Sequence, residues 1–349
     1  AFSAHVEITS AKAPTVSTLA QTILAKNEVK APITTPGAAI STADEALLAS
    51  TEDDNGTSYY FRGAVKNNYV EFANKCWRIV RVGGDGSVKL ILHNDNPTGA
   101  ANPCDAANNS EDAALARYNT QYTDYHSYRS VFNTNYKDNA YVGFKYGTAG
   151  AGDYATNHAN TNNSTILTNL ETWYNNNLEK YEKVIVDTVW CNDKTNVTDT
   201  TFDPSDWAPN GLGFGPNATY YGATQRLVST SGSAGGTGPS LKCNGELSKI
   251  TSKIGLITAD ELALAGYAYA QNNTTTYLQE NATSDYWWSL SPDGFDGGFA
   301  RVWIVDGSNG RLDDNFVYYP DGLRPSISLK STTNVTGEGT SSSPFIVKI

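Results

Sequence analysis

Methionine is absent from the 349 residues, and histidine and cysteine occur only four times each. His5, His93, His126 and His158 show no HxxxH or HExxH spacing, so the pattern offers no zinc site. Cys76, Cys104, Cys191 and Cys243 contain no CxxC pair, which argues against a zinc ribbon or a thioredoxin-like redox motif. No GxSxG elbow, P-loop or post-strand GxGxxG is present, and the chain is read as non-catalytic. Charged residues make up only 17%, with a net charge of -11. A nucleic-acid or anionic-membrane partner would require a basic face, so neither is expected. No apolar run reaches the length needed to span a bilayer.

What the chain does have is length and a polar, tyrosine-rich composition. It suffices for one large domain or two smaller ones, each with its own core. The start at Ala1, with no methionine anywhere, reads as a processed terminus left by signal-peptide removal, hence an extracellular or cell-surface location. Triplets such as Asn55-Gly56-Thr57 and Asn196-Val197-Thr198 match the N-glycosylation pattern, but an Asn/Thr-rich chain produces them by chance. In an exported chain the cysteines pair. Of three connectivities, Cys76–Cys104 and Cys191–Cys243 are favoured because each closes a local loop, contributing roughly 3–4 kcal/mol on the loop-entropy model. Four buried free thiols are the alternative.

The chain divides at residue 50. Residues 1–50 read as an arm: a strand, a short helix, a linker, and a second helix with Thr42 and Glu45 in capping-box positions. Phe2, Ala4, Val6 and Ile8 alternate with polar residues, the period of a half-buried strand. The first helix has Val16, Leu19, Ala20, Ile23 and Leu24 on one face, with Ser17 or Thr15 as its cap and Asn27 at its end. Residues 51–349 read as one globular unit. Strands are expected at 57–63, 76–82, 87–92 and 344–349, and a hairpin within 65–72 turning at Asn67-Asn68. Helices are expected from Ser164 to Tyr181 and from Thr258 to Ala265, the latter with Glu261 completing a capping box. Residues 192–242 are loop-like. Strands, then helices, then strands make an α+β fold with twisted antiparallel sheets, peripheral helices and long loops.

Residues 286–330 concentrate aromatics and aspartates. Strands are expected at 286–290, 299–305 and 326–329, separated by turns. Tyr286, Trp287, Trp288, Trp303, Tyr318 and Tyr319 suggest a stacking platform for sugars, although strand alternation sends about half of them inward. Asp293, Asp296, Asp306, Asp313 and Asp314 gather in the turns beside Asn309. Calcium is the one cofactor this group admits, without EF-hand spacing; the other reading is Asp side chains bonding nearby backbone.

The segments GTSYYFRGAVKNNYVEF, CWRIVRVGGDGSVKLI, KDNAYVGFKYG, NATYYGATQRL, IGLITADELALAG and YWWSLSP…GLRPSISLK resemble a large group of exported surface proteins of Firmicutes and related bacteria. In that group the C-terminal module is distantly similar to the C-type-lectin-like fold of formylglycine-generating enzymes. The resemblance implies an exported protein with a compact antiparallel core, and it brings no catalytic site. Those enzymes need a pair of cysteines late in the chain, and no cysteine follows Cys243. The lectin calcium loop is not recognisable either. The closing GEGTSSSPFIV resembles a segment recurrent in Gram-positive surface proteins.

The leading expectation is a structural subunit that self-associates into a filament or surface layer. Residues 2–8 of one copy would complete an open sheet edge of the next; docking of the arm on its own domain is the competing arrangement. The alternative is a monomeric adhesin binding a host or cell-surface glycan or protein through Trp288 and the loops 293–298 and 306–315. A cryptic enzyme related to the formylglycine-generating enzymes is the third.

Overall fold

A computed structural model describes residues 17–349. The expected strand Phe2–Ile8 lies outside the described residues. The chain runs α1 (Leu19–Lys26), β1 (Ala46–Asp53), β2 (Gly56–Gly63), β3 (Tyr69–Phe72), β4 (Lys75–Val82), β5 (Val88–Asn94), β6 (Arg129–Val131) and β7 (Lys145–Tyr146). It continues with α2 (Tyr154–Asn157), β8 (Asn162–Asn163), α3 (Thr165–Asn177), β9 (Thr188–Cys191), β10 (Thr219–Tyr220), α4 (Gly222–Leu227), β11 (Lys249–Ser252) and α5 (Ala259–Ala265). The last part is β12 (Tyr286–Phe295), β13 (Ala300–Asp306), β14 (Arg311–Phe316), β15 (Pro320–Gly322), β16 (Ser326–Leu329), β17 (Val335–Thr336) and β18 (Phe345–Val347). The fold is α+β and dominated by sheet.

One sheet has eight strands: β1-β2-β4-β3-β18-β17, with β5 on the other side of β4 and β16 beyond it. Its β4 and β5 are buried almost throughout, Lys75, Arg78, Lys89 and His93 included. The second sheet runs β14-β13-β12-β15-β6, with β10 on the end of β12. The chain passes from one sheet to the other through Leu323-Arg324-Pro325. Helix α5 is buried on all sides and touches β2, β12 and β14, while α3 sets Trp173 against Trp77 of the first sheet at 6.1 Å. Both disulfides, Cys76–Cys104 and Cys191–Cys243, are formed.

Several local expectations need correction. Residues 46–53 form a strand rather than a helix, because Glu45 caps nothing. Its carboxylate takes Arg62 Nε at 2.9 Å in a fully buried pair and accepts from Thr34 Oγ1 at 2.6 Å. Strand β1 therefore straddles residue 50, and α1 lays Leu19 and Ile23 into the same core. The cap of α1 is Thr18, in a capping box with Gln21, not Ser17 or Thr15. The β3–β4 hairpin turns at Ala73-Asn74, both left-handed (φ 56° and 58°), rather than at Asn67-Asn68. Strand β12 runs on past Ser291-Pro292 through an irregularity in its pairing, and β14 is a strand where a turn was expected.

Candidate functional site

Three tryptophans of the expected platform point inward. Trp287, Trp288 and Trp303 are fully buried, and Trp288 Nε1 donates to Ser130 O at 2.7 Å. They are core; Trp287 and Trp288 are consecutive on β12 and point to opposite faces, so that strand is covered on both sides. Tyr286 and Tyr319 stay open, at 41% and 44% exposure.

The aromatic surface lies elsewhere on the same hairpin. Phe299 precedes β13, Phe316 ends β14, and Tyr318 and Tyr319 follow it. Tyr136, far away in sequence, is held beside them because Ala300 N–H donates to Tyr136 O at 2.8 Å. The Tyr136 and Phe299 rings stack at 5.4 Å with planes 4° apart, and Tyr318 lies 4.6 Å from Tyr136 and 5.6 Å from Phe316. Tyr319 extends the row, 4.7 Å from Tyr318. All are half-buried or exposed, so the rings form a continuous ledge.

Arg301 anchors the ledge from behind. Its guanidinium carbon lies 4.1 Å from the Phe316 ring centre and 5.2 Å from that of Trp207. Trp207 in turn stacks on Tyr220 at 4.4 Å. A Cβ on Gly294 would come within 2.5 Å of the Trp207 ring, so only glycine permits that packing. Arg301 donates to Asp314 at 2.9 Å and to Asp296 at 3.2 Å. Asp296 Oδ1 also accepts from Gly298 and Phe299 N–H, closing a turn at Gly297, whose φ of +93° suits glycine.

The aspartates separate along the hairpin. Asp306 accepts from Ser308 and from Asn309 Nδ2 at 2.9 Å, the chemistry of the β13–β14 turn. Asp293, Asp296 and Asp314 lie towards the other end, around Arg301. Asp313 pairs with Arg311. Asp293 is buried against Thr224 Oγ1 at 2.7 Å, and burial, reinforced by Asp314, pushes its carboxyl well above the usual range. Burial also raises Asp314, against the opposing effect of Arg301. Among the described residues no group of three or more His, Cys, Asp or Glu is arranged to hold a metal ion. The expected ligand loops 293–298 and 306–315 are partly the strands β12 and β14.

Strand β14 is the edge of its sheet, and its own side chains cap it. Asp313 Oδ1 accepts from Asp314 N–H at 3.0 Å and Asn315 Oδ1 from Phe316 N–H at 2.9 Å. Such occupied donors blunt an edge against further strand pairing.

A groove beside Tyr136, about 500 Å³ in volume, is lined by Asn135, Lys137, Tyr141, Ala149 and Gly150. A separate polar cleft of about 280 Å³ opens next to Cys191–Cys243. Several of its charges are paired: Glu261 accepts from Arg81 at 2.8 Å and Lys89 at 2.7 Å, and Arg226 donates to Asp260 and Asp193, while Asp54, Asp85 and Asp187 also line it. Burial alone would raise Glu261, but Lys89 and Arg81 more than offset it and hold the carboxyl down at about 2.

No described helix is long and apolar enough to cross a membrane. Compared with known protein families, with curated proteins and with solved structures, the chain has no significant match.

Sequence reasoning missed Tyr136, Phe299 and Phe316. Phe299 carries a signal in retrospect, since it directly precedes the alternating strand β13; Phe316, at the end of the polar strand β14, carries little. Tyr136 carries none.

Proposed function

We propose that this is a non-catalytic extracellular surface protein that binds a glycan through the ledge of Tyr136, Phe299, Phe316, Tyr318 and Tyr319. The observation that carries the reading is the ledge itself, a row of accessible rings braced by the Arg301 stack. Rings left open to water cost free energy unless a ligand covers them. A pyranose offers a face of C–H bonds to such rings and hydroxyls to their polar border, here Asn135, Lys137 and Asn315. A pre-built apolar surface with a few polar groups is the usual form of a small-ligand site. The twisted antiparallel β12–β13–β14 unit supports a C-type-lectin-like C-terminal part within this proposal, and the two disulfides suit an exported chain.

A glycan array comparing the parent with Tyr318→Ala/Tyr319→Ala tests the reading. Binding lost in the double variant supports it; binding unchanged by the variant, or absent from the parent, refutes it. Capture of a protein instead of a glycan also refutes it.

Filament assembly through residues 2–8 remains the second reading, and one observation favours it. Thr18 bridges Asn334 beside β17, an edge strand of the larger sheet, so the arm departs from a sheet edge. Deleting residues 1–12 and imaging the product tests it: persisting filaments refute strand donation.

A further inference from the structure

The polar cleft beside Cys191–Cys243 is built by both sheets and two helices. Arg81 of β4 and Lys89 of β5 line it together with Arg226 of α4, Glu261 of α5 and Ser291 of β12. Both cysteines line it too, so the disulfide ties its walls. Asp260 and Glu261, adjacent on α5, join the ion pairs into one network, since Glu261 takes Arg81 and Lys89 while Asp260 takes Arg226. The buried members of the lining form a floor, and the exposed ones form a rim.

On the floor the acceptors are used and the donors are not. Both carboxylate oxygens of Glu261 accept, one from Arg81 and Lys89 and the other from Thr258 N–H. Both oxygens of Asp260 accept from Arg226. Lys89 and Ser291 are only 5% and 2% exposed. Lys89 Nζ gives one hydrogen to Glu261 and lies 4.7 Å from the Trp190 ring centre, with no second oxygen acceptor among the described residues. Ser291 Oγ accepts from Ala259 N–H at 3.0 Å, but its own hydrogen has no acceptor among them. Arg81 spends Nε and Nη1 on Glu261, Asp53 and Ser58, and Nη2 on none of them. Buried Lys194 is the contrast: His158 O, Asn160 Oδ1 and Lys145 O take all three of its ammonium hydrogens. Buried polar groups in native proteins are nearly always satisfied, so this floor calls for an acceptor from outside. A carboxylate accepts from all three and makes charge-assisted bonds.

The rim has the opposite character. Asp54, Asp85 and Asp187 are exposed there beside a single cation, Lys242. Asp187 accepts no hydrogen bond from the described residues, and Asp85 uses only Oδ1, for Ser87. Over the whole lining, seven carboxylates face four cations, which disfavours a multiply charged anion such as phosphate. Among the described residues no group of carboxylates is placed to hold a metal ion, so the rim suits an organic cation. At about 280 Å³ the cleft is smaller than the roughly 300–1,000 Å³ of drug-sized sites, and it fits a small molecule.

We propose that this cleft binds a small aliphatic ω-amino acid, a zwitterion with its carboxylate on Lys89, Arg81 and Ser291 and its ammonium at Asp85 and Asp187. The site is independent of the aromatic ledge.

Isothermal titration of the full chain with 4-aminobutanoate and 6-aminohexanoate tests it, with hexanoate and hexylamine as probes that each keep one charged end. At least one zwitterion is expected to bind saturably, and both single-ended probes to bind at least tenfold more weakly, about the loss of one charge-assisted hydrogen bond. Asp85→Asn/Asp187→Asn changes only exposed side chains, and its folding is verified by thermal unfolding. It should weaken the zwitterion about tenfold. No binding of either zwitterion, hexylamine or hexanoate binding as tightly as the zwitterion, or equal affinity in the folded double variant overturns the proposal.

Discussion

Arg301 stacks on Phe316 with its guanidinium carbon 4.1 Å from the ring centre, and the same group donates to Asp314 at 2.9 Å. The contact ties the electrostatics of the hairpin to the position of its aromatic ledge. Arg301→Lys keeps the charge but loses the planar stack. It should cost about 1 kcal/mol, read from urea unfolding. Arg301→Ala should cost about 2–3 kcal/mol, because Asp314 then has no cation.

Trp288→Ala and Tyr318→Ala should behave differently. Trp288 is fully buried, and its loss should cost about 3–5 kcal/mol. Tyr318 is half-buried among the rings of the ledge, and its loss should cost only about 1 kcal/mol. Denaturation midpoints of the two variants check this, and they separate framework from binding surface.

Acidity near neutrality should be governed by Asp321 and Lys194. Burial, with Asp285 nearby, raises the Asp321 carboxyl to about 7, against the lowering influence of Asn315 and Arg129. A raised folded-state pKa gives stability that is fully present below the unfolded value and is lost as pH rises through about 7. That loss amounts to about 4 kcal/mol at most. Lys194 is lowered by burial to about 7, so its contribution is present above the unfolded value and is lost as pH falls through about 7. The two together place a dip in stability near neutrality. Asp321→Asn should flatten the limb between about pH 4 and 7, measured by urea titration across pH.

Reduction of Cys191–Cys243 should free the long segment between its ends. Replacing both cysteines by serine should cost about 4 kcal/mol on the loop-entropy model. Limited proteolysis should then cut within residues 192–242, and the parent should resist under the same conditions.

Helix α5 was legible because its signals are local: Thr258 and Glu261 form the capping box and Gly266 ends the helix. Glu45 misled for the opposite reason. Its spacing from Thr42 matches a cap, but its partner Arg62 is supplied by another strand. Strand β14 was hidden because Arg311-Leu312-Asp313-Asp314-Asn315-Phe316 is a polar edge whose donors are met by its own side chains. The ledge was only half visible. Tyr318 and Tyr319 stand in the aromatic stretch, but alternation alone did not separate them from Trp287, Trp288 and Trp303. Tyr136 joins them through one backbone hydrogen bond to Ala300, a long-range contact that no local pattern announces.

The central claim is that the ledge binds sugar. Isothermal titration of the best array ligand against the parent and Tyr318→Ala/Tyr319→Ala, with folding of both verified by thermal unfolding, tests it most directly. The account predicts saturable binding by the parent and at least a tenfold loss in the folded double variant, about 1.4 kcal/mol. Equal affinity in the two folded proteins would contradict it.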